Sequence, residues 1–419
     1  MIFENKVLGA GVVFIGFEVL ARALTFLIIP ILTNYFDRAE MGMYSTLLSI
    51  NAFFGIFIGL SAHGAIEANF YQLSKEKIAL YIGNIIIVLL LSFFLCCVLI
   101  LLFGDLINQK FEIGYHWLII SLLIVFCQFI TLINSTVWVM RVKSILYGLF
   151  QLSIAFLTLL LTSIFVIILD FDWTGPIIAL LISSFLSSVV SIYLLISNKY
   201  VKVKLDNYFL KDFLSFGFPM IPHQLSNWIK GQGDRLLLIS IAGAGATGLY
   251  SVGFQIGSIM GLLLMAANRA YYPYVFNKLS SGMTPMMLIK HVKLVYALMF
   301  SIILASLSFI VILDYIYHLI IGPEFLDSKI IAQLVIVAFI FDGFYYLFVC
   351  VLFYFKKTAT LAKITFPLSI FHIVITYFMI KNFSSIGVAY ALIITYFLQF
   401  VAVWFYSNRI FKMPWRLGY

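Results

Sequence analysis

Apolar residues run in twelve long stretches, separated by short polar turns, over nearly the whole chain. The stretches fall at about 9–33, 41–66, 78–103, 116–140, 146–169, 175–197, 212–241, 246–270, 292–321, 330–354, 360–380 and 386–406. Each holds the ~20 residues that a helix needs to cross a ~30 Å hydrocarbon core. Continuous apolarity, rather than alternation, predicts helices and not the strands of a barrel. The first stretch, about 25 residues long, exceeds the length of a signal-peptide core and carries charge, so it reads as a permanent helix. The composition is 63% hydrophobic and only 10% charged, with a mean hydropathy of +1.10. A soluble protein of this composition would have too little polar surface to stay dissolved.

The net charge of +9 changes the picture through its distribution. With a cytoplasmic N-terminus, the inner turns and tails hold eighteen basic residues, running from Lys6 through Lys75, Arg141, Lys211 and Lys357 to Arg416. The outer turns hold four, Arg38, Lys110, Lys329 and Lys381, together with acidic residues such as Asp37, Glu40, Asp170 and Asp172. This asymmetry is the positive-inside pattern and puts both termini in the cytoplasm. The basic residues set topology; they predict no nucleic-acid partner. Cys96, Cys97, Cys127 and Cys350 all fall inside apolar stretches and read as small packing residues.

The chain echoes itself at half its length. Gly42-Met43-Tyr44-Ser45 opens the second stretch and Gly248-Leu249-Tyr250-Ser251 the eighth, with four identities over nine residues. Residues 175–186 open the sixth and 387–398 the twelfth, with six identities in twelve. An even number of helices per half gives both halves one orientation, a parallel repeat. The expected fold is all-α and integral to the membrane, with about twelve transmembrane helices in two pseudo-symmetric six-helix lobes around a central cavity. The expected division is 1–197 for the first lobe, 198–211 for a cytoplasmic linker and 212–419 for the second lobe with its tail.

Charges in the apolar stretches are costly, about 2.5–3.5 kcal/mol each on insertion scales, and so are functional candidates. The bases are Arg22, Lys230, Arg235 and Arg269; the acids are Glu18, Glu67, Asp234 and Asp342. Glu18 with Arg22, and Lys230 with Asp234, stand four apart and could each neutralise the other on one helix face. Arg269 and Glu67 lie near cytoplasmic helix ends, where snorkelling to headgroups competes with a functional role. Asp342 has no partner within its own helix. The seventh stretch carries Pro219 and Pro222, which invite a bend or break, and places His223, Asn227, Lys230 and Asp234 at helical spacing as one polar stripe. His63 and His372 read as packing histidines or proton carriers. Tyr271, Tyr272 and Tyr274 read as part of an interfacial belt. No phosphate-binding loop, zinc motif or nucleophile elbow occurs. The longest turn, near 271–291, leaves no room for an outer catalytic domain, so no enzyme activity and no cofactor or metal are expected.

Several segments together resemble the polysaccharide repeat-unit flippases, the Wzx-type or O-antigen translocases. They are the turn Leu32–Tyr44, Asp234-Arg235 followed by Gly248–Ser251, Gly322-Pro323-Glu324-Phe325, Lys356-Lys357-Thr358, and Ile386–Ala391. The resemblance covers essentially the whole chain in order, and its specificity lies in order and spacing. It implies the fold of the multidrug/oligosaccharidyl-lipid/polysaccharide exporter superfamily. It also implies a substrate, an undecaprenyl-pyrophosphate-linked oligosaccharide moved from the inner to the outer leaflet of a bacterial cytoplasmic (inner) membrane. Arg22, Lys230, Arg235, Arg269 and Asn227 are the positions suited to the pyrophosphate and sugars. Glu18, Glu67, Asp234 and Asp342 are suited to charge balance or to antiport coupled to protons or sodium. Membrane lipids and other polysaccharide-assembly proteins are the implied partners. Two alternatives stand beside this reading: a cation-coupled exporter of drugs or metabolites on the same fold, and a membrane-embedded polysaccharide-assembly enzyme.

Overall fold

The computed structural model describes residues 2–282 and 284–415; the side chains of 2–10, 12 and 358 lie outside the described residues, Lys6 among them, as does Arg416. The described residues form helices and no strands. They are α1 (Ile2–Phe26), α2 (Ile28–Tyr35), α3 (Arg38–Gly59), α4 (Ala62–Asn69), α5 (Lys75–Phe111), α6 (Tyr115–Met140), α7 (Ser144–Ser163), α8 (Thr174–Ser197), α9 (Asn207–Trp228), α10 (Asp234–Ser280), α11 (Pro285–Ile320), α12 (Ser328–Tyr354) and α13 (Thr358–Ile410).

Among the described residues ten segments are long and apolar enough to cross a membrane. Two of them, Asn207–Ser280 with 74 residues and Ala359–Ile410 with 52, would be ~110 Å and ~78 Å long if straight, more than twice the hydrocarbon thickness. Each therefore turns back. Gly243 (φ 84°, ψ 176°) breaks α10 and Ser384 (φ 50°, ψ −132°) breaks α13. Tyr250 touches Asp234, sixteen residues away, and His372 touches Thr395, twenty-three away. In straight helices these separations would be ~24 Å and ~34 Å. The two hairpins bring the ten segments to twelve crossings among the described residues, as the apolar pattern predicts.

The chain packs as two units, Met1–Trp228 and Ile229–Tyr419. In the first, α6 lies against α3, α4, α5, α7 and α8. An Asp37–Glu40 capping box starts α3, each side chain accepting from the other's backbone N–H. The chain then breaks at Leu60 and Ser61, both left-handed, and α9 seats on this break. The Gln224 amide donates to Ser61 Oγ at 2.7 Å, and Trp228 Nε1 donates to the Ser49 carbonyl at 2.9 Å. Residues 201–206 form an extended strap on α5. Lys202 N–H donates to the Ala79 carbonyl, and buried Asn84 bonds both the Lys204 carbonyl and the Asp206 N–H. Gly83 lets the strap approach, since a Cβ there would stand 2.1 Å from the Lys202 oxygen. The basic segment 198–211 is thus the turn that ends α8, the strap and the first turn of α9, and the packing boundary falls further on, after Trp228.

In the second unit α12 packs against α10, α11 and α13. Gly253, Gly257 and Gly261 recur every fourth residue on α10 and allow close approach of α12. A Cβ on Gly257 would lie 2.7 Å from the Ala332 carbonyl. The expected twenty-residue turn near 271–291 is corrected: α10 continues through Pro273 to Ser280, and α11 starts at Pro285. Tyr271 does not join an exposed belt. It is buried, stacks on His291 and lies tilted against Tyr274.

Candidate functional site

The second unit encloses a polar cluster. Among the described residues every buried Lys, Arg and Asp side chain belongs to it: Lys230, Arg235, Asp234 and Asp342, at 8%, 5%, 1% and 8% exposure. Burying an ion without partners costs several kcal/mol, so the neighbours decide how these charges are held.

Asp234 starts α10, directly after a π-helical turn over Ile229–Gly233. Such wide turns are frequent at functional sites. The Asp234 carboxylate meets two groups from other crossings. Oδ1 lies 3.0 Å from His372 Nε2 in the first limb of α13 (358–383), and Oδ2 accepts from the Tyr250 hydroxyl at 3.3 Å. His372 is fully buried, and its Nδ1 lies 2.8 Å from Thr395 Oγ1 in the second limb (385–410). Thr395 Oγ1 also lies 2.8 Å from the Ala391 carbonyl.

Lys230 does not pair with Asp234, contrary to the four-residue spacing. Its ammonium donates to Gln399 Oε1 at 2.9 Å and attracts Asp342, which lies beside Tyr346. The reason is that each charge finds a partner on another crossing: His372 takes Asp234, and Gln399 takes Lys230. Arg235 is held by a fork of contacts. Nε donates to Ser251 Oγ at 3.1 Å, and Nη1 donates to the Gly231 carbonyl and Gln232 Oε1 at 3.0 and 2.9 Å. Its guanidinium also lies over Phe254, 5.0 Å from the ring centre. Two cations face two carboxylates, so the cluster is close to electrically balanced rather than cationic.

The remaining candidates lie elsewhere. Glu18 and Arg22 form the expected ion pair at 2.9 Å, with side chains 35% and 50% exposed. Glu67 on α4 is exposed, as is Asn227 on α9, whose amide lies 3.4 Å from His223 Nε2. The expected polar stripe is therefore split: His223 and Asn227 are exposed, whereas Lys230 and Asp234 are buried. Pro219 and Pro222 do not break α9, which runs through both; the irregular turn comes later, at Ile229–Gly233. Arg269 is exposed on the second limb of α10 (244–280), eighteen residues beyond Ser251, or ~27 Å along the helix. Sequence reasoning missed Thr395 and Gln399 and left His372 undecided. Their only signal was polarity inside an apolar stretch.

A family model described as "Polysaccharide biosynthesis protein" matches residues 8–279. An uncharacterized membrane protein of Haemophilus influenzae is 28% identical over 280 residues, 63% of this chain and 64% of that protein's length. "Lsg locus putative protein 1" of the same species is 23% identical over 94% of this chain and 98% of its own length. Among solved structures, the lipid II flippase MurJ in an inward closed conformation aligns with a TM-score of 0.75, at 17% identity, over 95% of this chain and 87% of that one. An inward-facing multidrug resistance MATE family transporter of the MOP superfamily aligns with a TM-score of 0.66, at 14% identity, over 93% and 98%. These neighbours are a flippase and a transporter, and the fold is theirs. Because the family match spans most of the chain, this membrane protein belongs to the polysaccharide biosynthesis protein family.

Proposed function

We propose that the chain is a flippase. It moves an undecaprenyl-pyrophosphate-linked oligosaccharide repeat unit from the cytoplasmic to the outer leaflet of the bacterial inner membrane, by alternating access driven by a proton or sodium gradient. Both termini face the cytoplasm in this reading, as the positive-inside charge asymmetry favours. The observation that carries it is membership of a polysaccharide biosynthesis family on a flippase-type fold.

Physical chemistry fits the task. A sugar hydroxyl moved unpaired into hydrocarbon costs ~4–8 kcal/mol on water-to-cyclohexane scales, so the head group needs a hydrated path while its lipid tail stays in the bilayer. Arg22, Arg269 and Asn227, with exposed side chains, are the proposed direct contacts for pyrophosphate and sugar. Basic side chains hold phosphate through charge-assisted hydrogen bonds, Arg bidentately. Lys230, Arg235, Asp234 and Asp342 are proposed to couple transport to an ion and set charge balance, with Glu18 and Glu67 in supporting roles. The six-helix lobes 1–197 and 212–419, joined by 198–211, are the proposed moving bodies.

A gene deletion with analysis of lipid-linked intermediates tests the reading. Intact undecaprenyl-linked units stranded on the cytosolic face are expected, and surface polysaccharide should be lost. The likeness to a multidrug transporter favours a second reading, export of a drug or metabolite. Normal surface polysaccharide with heightened drug sensitivity in the deletion strain would select it.

A further inference from the structure

Thr395 has one hydroxyl hydrogen and two acceptors within reach, the Ala391 carbonyl and His372 Nδ1, both at 2.8 Å. It can donate to only one of them. If it donates to Ala391, its oxygen can only accept, so His372 Nδ1 must carry hydrogen. If it donates to His372, Nδ1 must be bare. On the opposite edge of the ring, Nε2 faces the Asp234 carboxylate at 3.0 Å, an arrangement that calls for hydrogen on Nε2 while Asp234 is ionised. Every polar atom is therefore satisfied in two states. In one, neutral His372 donates from Nε2 to Asp234 and accepts from Thr395. In the other, His372 is an imidazolium donating at both edges, and the Thr395 hydroxyl has rotated to Ala391.

We propose that Asp234, His372 and Thr395 form a proton-binding site, in which rotation of the Thr395 hydroxyl lets His372 take up one proton at Nδ1 without leaving a buried polar atom unpaired. The step breaks only hydrogen bonds. The proton adds to the Nδ1 lone pair, the Thr395 O–H turns to donate to the Ala391 carbonyl, and the net charge of the Asp234–His372 pair rises from −1 to 0. The surrounding titratable and charged groups come from each packed crossing. They are Arg235 and Tyr396 near Asp234, Tyr250 on its Oδ2, and Asp342 on α12 with Tyr346 and Lys230 near it. With Lys230, Arg235 and Asp342 ionised, protonation takes the whole cluster from neutral to +1. Because His372 is fully buried, proton exchange requires a conformation that opens the cluster, which ties loading and release to the transport cycle.

This inference names the coupling ion of the proposed flippase, and its test needs no substrate. The six histidines can be labelled with nitrogen-15 and followed by NMR in lipid nanodiscs between about pH 9 and about pH 5. His372 is assigned by the signal lost in His372→Gln. The expected result is a ring that gains its second N–H across this range. Asp234→Asn and Thr395→Val should lose the doubly protonated form, and Thr395→Ser, which keeps the hydroxyl, should retain it. A His372 that stays singly protonated throughout in the wild type overturns the proposal. So does one that gains its proton identically in Asp234→Asn and Thr395→Val. Either result leaves the flippase reading untouched, because that rests on the lipid intermediates in cells.

Discussion

The Tyr250 hydroxyl donates to the Asp234 carboxylate at 3.3 Å, although sixteen residues of nominally continuous helix separate the two. The contact exists because Gly243, at φ 84° and ψ 176°, folds α10 back on itself. That conformation is essentially restricted to glycine, and a side chain there is strained by ~1–3 kcal/mol. A Cβ at Gly243 meets nothing within 4 Å, so the cost of Gly243→Ala is a backbone cost. Purified Gly243→Ala should unfold at a lower temperature than wild type in a detergent thermal-shift assay. The mirror test is Ser384→Gly at the other hairpin, where φ is 50°; relieving that strain should raise the midpoint.

Lys230 and Asp342 test how the buried charges support each other. Lys230→Met leaves Asp342 without its attracting cation, and Asp342→Asn does the same to Lys230. Breaking a buried pair from one side costs ~3–5 kcal/mol. Each single variant should therefore lower the amount of folded protein recovered from membranes. The double variant should recover much of the loss, because it leaves neither charge buried without its counter-charge. A double variant no better than the worse single one would show that the two charges do not stabilise each other.

Arg235 should resist conservative replacement. Its three donated hydrogen bonds, to Ser251, Gly231 and Gln232, leave from two different nitrogens of one planar group. A lysine ammonium cannot span that fork. In cells, Arg235→Lys should lose nearly as much surface polysaccharide as Arg235→Ala, with membrane levels measured alongside.

The strap on α5 makes a further expectation checkable by proteolysis. Gly83→Val would drive side-chain carbon into the Lys202 carbonyl, 2.1 Å from the Cβ position, and lift residues 201–206 from their hydrogen bonds. Limited trypsin treatment should then cut at Lys199, Lys202 or Lys204 faster than in wild type. An unchanged cleavage rate would mean that the strap tolerates the added volume.

The twelve crossings were legible because hydrocarbon thickness imposes a length, and even the reversals at Gly243 and Ser384 fell in the gaps expected at 241–246 and 380–386. The buried charges were legible too, since Lys230, Asp234, Arg235 and Asp342 are conspicuous in apolar surroundings. Their partners were not. His372 and Gln399 lie 138 and 169 residues from the groups they hold, and no local spacing rule reaches that far. The same limit misled the pairing of Lys230 with Asp234, because four-residue logic assumes that a helix supplies its own partners. Pro219 and Pro222 misled in the other direction. Their missing donors suggested a break, yet the chain stays helical through them and widens only at the glycine-rich turn that follows.

The long reach between Asp234 and His372 has a bearing on how the protein is made. Ribosomes add ~5–20 residues per second, so the 138 residues between them take roughly 7–30 s to synthesise. For most of that interval a segment bearing Lys230, Asp234 and Arg235 has left the ribosome while the final hairpin that supplies its partners His372 and Gln399 does not yet exist. The insertion machinery must shelter this segment from lipid until the last two crossings arrive, and biogenesis completes only when the end of the chain closes over its middle.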